Sequence, residues 1–187
     1  MTTRDIVLVA LFAAIMIVLG LIPPVTLGFI PVPITAQSLG PMLAGCIIGA
    51  RRGAASMLLL LLLVAIGLPV LSGGRGGLAV FAGPTAGYLV GWVVGAFVTG
   101  LIAERFVREG QKEVLQLAAF LGAAVIGGIL VNYLFGLAWL AHMSGKAFLE
   151  VSLASAVFLP GDLLKAAIAA LAGRAVLAGY PLLHQRA

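Results

Sequence analysis

Ionisable side chains are scarce in this chain: Asp, Glu, Lys and Arg make up 9% of its 187 residues, against 63% hydrophobic. With a mean hydropathy of +1.22, too few polar groups remain to cover a water-facing surface, which excludes an ordinary soluble domain. Cysteine occurs once, as Cys46 inside an apolar run. Neither a disulfide framework nor a cysteine metal site can form within one chain, and Cys46 reads as helix packing. The two histidines, His142 and His184, are too few and too far apart for a dedicated zinc site. No G-x-x-x-x-G-K-[ST] loop offers a cradle to a nucleotide phosphate. No G-x-S-x-G elbow supports a serine-hydrolase reading of His142-Met143-Ser144. The net charge of +5 lacks the basic stripe interleaved with aromatics that would track nucleic acid.

What is present is a succession of greasy segments, consistent with one all-α membrane domain over residues 1–187. A helix needs about 20 apolar residues to cross the hydrocarbon, fewer where protein covers it. Six runs qualify: Ile6 to Ile22, Thr35 to Ala50, Gly53 to Val70, Pro84 to Ala103, Val114 to Met143, and Pro160 to Leu183. The first follows Arg4 and outlines a signal peptide, but it is too long for a signal core and the chain beyond stays hydrophobic. If the runs alternate direction, Arg4, the Arg51-Arg52 pair, the group Arg105, Arg108 and Lys112, and Arg186 share one side. Positive charge favours the cytoplasm, which places both termini inside. The other side receives the connection from Pro23 to Pro33, the glycine-rich loop around Arg75, and the link with Lys146 and Glu150. No convincing inverted repeat relates the halves, which weakens a self-contained secondary transporter, and without a nucleotide-binding loop any active uptake draws energy from a partner chain or an ion gradient.

Charge that remains close to bilayer depth marks candidate chemistry, because an ionised group there costs on the order of 2.5–3.5 kcal/mol. Arg75 sits among Gly73, Gly74, Gly76 and Gly77, whose backbone can approach a ligand and expose amide donors. The guanidinium could hold a carboxylate, or the segment could be a plain flexible loop. Asp162 and Lys165 follow Pro160 at a helix start, three residues apart on one face. They form either a structural pair or part of a ligand site. Gln37, at the mouth of the second run, offers both a donor and an acceptor, and a helix-end role competes. Tyr88 and Asn132 lie inside runs, where Asn132 suits a helix–helix hydrogen bond. Trp92, Trp139 and Tyr180 read as packing or interface aromatics. Gly87, Gly91 and Gly95, like Gly45, Gly49 and Gly53, repeat every fourth position, and Ala10 and Ala14 keep the same spacing. Such ridges serve internal packing or the docking of another protein.

In combination and order, Pro31-Val32-Pro33-Ile34-Thr35-Ala36-Gln37-Ser38-Leu39-Gly40, Leu68-Pro69-Val70 with Gly73-Gly74-Arg75-Gly76-Gly77, Gly83-Pro84-Thr85-Ala86-Gly87-Tyr88 and Leu159-Pro160-Gly161-Asp162-Leu163-Leu164-Lys165 resemble the BioY family. These are biotin-specific S components of energy-coupling-factor (ECF) transporters. The resemblance implies a compact six-helix S-component bundle in the cell membrane with an outward biotin cavity covered by loops. It implies a transmembrane coupling protein and two cytoplasmic ATPases, whose hydrolysis topples the bundle, and no catalysis or cofactor of the chain's own. Ala10 and Ala14 become the docking face for the coupling protein. Biotin offers N–H groups for Asp162, a carbonyl for donors, and a carboxylate for Arg75 or Lys165. Gln37, Tyr88 and the Gly74 and Gly76 backbone are further expected contacts. The rivals are another vitamin's S component, a lone facilitator, an intramembrane enzyme and a structural adaptor.

Overall fold

A computed structural model describes residues 2–180, 182 and 183 of the chain. Arg186 and His184, both used in the sequence reading, lie outside the described residues. The helices are α1 (Thr3–Gly20), α2 (Leu39–Ala65), α3 (Ala86–Phe106), α4 (Glu113–Ser144), α5 (Phe148–Ser155) and α6 (Leu159–Gly179). Among the described residues, five continuous helical stretches are long and apolar enough to cross a membrane.

The α2 stretch contains two spans. Gly49 adopts φ 81° and ψ −177°, a backbone conformation that glycine alone adopts readily. The chain folds back there: a Cβ placed on Gly53 would lie 3.3 Å from the backbone of Ala44 and Gly45, whereas nine residues of straight helix would separate them by about 13 Å. The second arm starts at Ala50, whose N–H donates to the Glu104 carboxylate at 2.8 Å. That carboxylate caps an orphan donor and complements the positive helix end. Arg51 and Arg52, which fall between two of the predicted runs, therefore belong to the first turn of a helix, because glycine turns the chain so sharply.

Alternation of six spans collects the ends into two groups. At the basic end, Thr2 caps α1 in a reciprocal box with Asp5, and Asp5 pairs with Arg52 at 2.6 Å. Arg52 also donates to the Leu182 carbonyl at 3.4 Å, and Glu113 pairs with Arg174. Both described chain ends thus lie here. At the opposite end, Gln37 bonds to Val70 and Ser72, and Ser38 bonds to Asp162 and Lys165.

Glycines let α3 sit against its neighbours without intervening side chains. Gly87, Gly91 and Gly95 face Trp139, Asn132 and Gly127 of α4, and Gly45 faces Thr99 of α3. Both ridges are internal. By contrast, Ala10 and Ala14 are exposed on α1, only six of whose 18 residues are buried. Many large apolar side chains face outward, among them Leu62, Val114 and Leu171; water would penalise them, and lipid would not. The link around Lys146 and Glu150 holds α5, a short helix not anticipated from hydropathy.

Candidate functional site

At the end opposite the basic one, a partly open cavity lies between the α1–α2 connection, α3, α4 and the start of α6. An antiparallel bridge, Val25 to Ile34, folds the α1–α2 connection so that Val32, Pro33, Ile34 and Thr35 form one wall. Arg75, Gln37, Tyr88, Asp162 and Lys165 all line this space.

Pro160 occupies the first turn of α6, where its missing N–H does no harm, and so fixes the height of Asp162 and Lys165. Lys165 Nζ donates to Asp162 Oδ1 at 2.7 Å and to Ser38 Oγ at 2.8 Å. Tyr133 donates its hydroxyl proton to Asp162 Oδ2 at 2.7 Å, and Ser38 Oγ lies 3.3 Å from Oδ1. A carboxylate accepts about four hydrogen bonds and an ammonium donates three. Both members of the pair therefore keep capacity on the cavity side.

Arg75 reaches the cavity by backbone geometry. Leu71 and Arg75 exchange backbone hydrogen bonds of 3.0 and 3.2 Å, closing a tight loop in which Gly73 and Gly74 take φ of 79° and 69°. Its Nε donates to the Ser72 carbonyl at 3.2 Å and its Nη1 to Thr85 Oγ1 at 3.3 Å. Half-burial pulls the guanidinium below its ordinary pKa, yet an arginine stays charged. No carboxylate of the described residues lies within ion-pair distance of Arg75, whereas Lys165 has Asp162. The cavity therefore carries one uncompensated positive charge.

Gly74 and Gly76 do not line the cavity. Gly74 forms the turn, and a side chain on Gly76 would collide with the Leu68 carbonyl. Gln37 faces the space, but its amide is committed elsewhere: Nε2 donates to the Met16 and Val70 carbonyls at 3.0 and 2.9 Å, and Oε1 accepts from Ser72 N–H at 2.8 Å. Tyr88 stands edge-on to Tyr133, with ring centres 6.4 Å apart, and its buried hydroxyl lies close to Ser155. Sequence reasoning passed over Ser38, Tyr133 and the cavity-facing side of Trp92 and Asn132. The only signal was that polar or aromatic groups interrupt apolar runs. Among the described residues, no three His, Cys, Asp or Glu side chains gather in a metal-binding cluster.

Comparison with known proteins gives a consistent result. The family model described as the BioY family matches residues 1–182. The chain is similar to the biotin transporter BioY of Rhizobium etli, with 63% identity over the whole of both chains. It is 48% identical to the biotin transporter BioY of Rhodobacter capsulatus, over 92% of this chain and 93% of the other. Among solved structures, it superposes on the S component for biotin from an ECF-type ABC transporter with a TM-score of 0.86. That match has 32% identity and covers 95% of each chain.

Proposed function

This chain belongs to the BioY family, and from that premise we propose that it captures biotin as the substrate-specific membrane component of an ECF-type ABC transporter. It is a multi-pass membrane protein and a transporter, not an enzyme. The observation that carries the substrate is the charge inventory of the cavity: a neutral Asp162–Lys165 pair with open hydrogen-bond capacity, and an Arg75 without a counter-ion. Biotin has the complementary inventory, a neutral ureido head and one carboxylate.

In this reading a ureido N–H donates to the Asp162 carboxylate, and the ureido oxygen accepts from Lys165. Tyr133 and Ser38 hold that pair in place. The carboxylate meets Arg75, the cation whose charge nothing else in the cavity balances. Leu89, Trp92, Val32 and Phe158 cover the apolar ring and chain. The cavity end faces outward and both termini face the cytoplasm, following the positive-inside distribution. The exposed Ala10–Ala14 face of α1 receives a transmembrane coupling protein, and two cytoplasmic ATPases supply the energy.

Calorimetric titration of the detergent-solubilised protein with biotin and with its carboxyl-amide tests the substrate. Saturable biotin binding, weakened in the amide, is the expected result, and no saturable binding at micromolar biotin would remove the assignment. For the partner, Ala10→Trp should leave biotin binding intact and abolish co-purification with the coupling protein, because bulk prevents close helix approach. Retained assembly would remove that docking face.

A further inference from the structure

Resting on the biotin reading above, we infer that Asn132 determines specificity for the ureido head, its carboxamide N–H donating to the head-group carbonyl oxygen. Asn132 lines the cavity, is 5% exposed, and holds its Oδ1 fully buried with no hydrogen-bond partner. Its amide makes no bond to any other described residue. A buried carboxamide inside a membrane bundle ordinarily finds a partner across the helix interface, because leaving it unpaired is costly. Here Oδ1 lies against Gly91 of the neighbouring helix, which makes room for the side chain: a Cβ there would collide with that oxygen.

The local backbone points the same way. Residues Ala124–Val131 of α4 form a π-helix, and Asn132 is the first residue after it. A π turn takes in an extra residue and so rotates the following face by about 100° relative to a continuous α-helix. Asn132 and Tyr133 emerge from it as cavity-lining residues. Tyr133, the next residue in the chain, bonds to Asp162. A ureido carbonyl has two acceptor sites, and Lys165 and Asn132 supply two donors.

The inference predicts discrimination against 2-iminobiotin, whose protonated C=NH₂⁺ would bring donors against these donors. Biotin and 2-iminobiotin are titrated into wild type, Asn132→Leu and Asn132→Asp, and ligand-free unfolding temperatures are measured alongside. Wild type should prefer biotin by at least about 100-fold, and Asn132→Leu should bind biotin about 10- to 100-fold more weakly. Its ligand-free unfolding temperature should not fall, because no hydrogen bond is lost. Asn132→Asp, which supplies an acceptor, should narrow the preference by more than about tenfold. If wild type shows no saturable biotin binding, the biotin reading itself fails. If wild type binds biotin and Asn132→Leu binds it equally well, Asn132 is a packing residue and this inference alone is overturned. Should Asn132→Leu not fold, an unchanged ligand preference in Asn132→Asp would overturn it in the same way.

Discussion

Two buried ion pairs sit at opposite ends of this bundle with nearly identical separations, 2.6 Å for Asp5–Arg52 and 2.7 Å for Asp162–Lys165. At the basic end the carboxylate also accepts both the N–H and the hydroxyl of Thr2, and the guanidinium continues to the Leu182 carbonyl. The chain itself satisfies that pair. At the cavity end, Tyr133 and Ser38 fill part of the capacity, and the rest opens onto space. Burial and pairing are thus common to a structural strut and a binding site. What separates them is whether hydrogen-bond capacity is left facing a hollow.

The sharpest way to break this comparison is to remove one partner from the closed pair. Arg52→Leu removes the ion-pair partner of Asp5 and should lower the unfolding temperature, while the folded fraction binds biotin with unchanged affinity. Thermal unfolding and titration on the same sample check both halves, and a parallel fall in affinity would erase the distinction. Asp162→Asn should do the reverse, lowering biotin affinity about 100-fold, near 2.7 kcal/mol, with a smaller change in unfolding temperature. Next in size, Arg75→Gln should weaken biotin about 10- to 30-fold and leave the carboxyl-amide unaffected. An equal loss for both ligands would show that Arg75 shapes the loop and does not hold the acid. The smallest effect sharpens the rule from outside. Lys146 and Glu150 are 2.9 Å apart but more than half exposed, so Lys146→Ala should shift stability by less than about 0.5 kcal/mol.

The spans were legible because lipid imposes one-dimensional patterning: each predicted run overlaps an observed helix or helical arm, with ends displaced by a few residues. The fold-back at Gly49 falls one residue before the end of the second predicted run, Thr35 to Ala50, so the break was placed slightly too late. The short α5 was not legible, since its exposed Leu149 and Leu153 give no long apolar stretch. Arg75, Asp162 and Lys165 could be picked out because charge stands out against grease, and all three border one cavity. Ser38 and Tyr133 could not, because a neutral hydroxyl is ordinary in a membrane helix until its distant partner is known. Gln37 shows the same limit from the other side: its amide looks available in one dimension, and residues more than 20 positions away occupy it.

That occupancy has a mechanical corollary. One carboxamide ties the end of α1, the start of α2 and the segment leading to Arg75, so the two loops beside the hollow share one anchor. Raising either one means shearing those bonds or dragging its companion along.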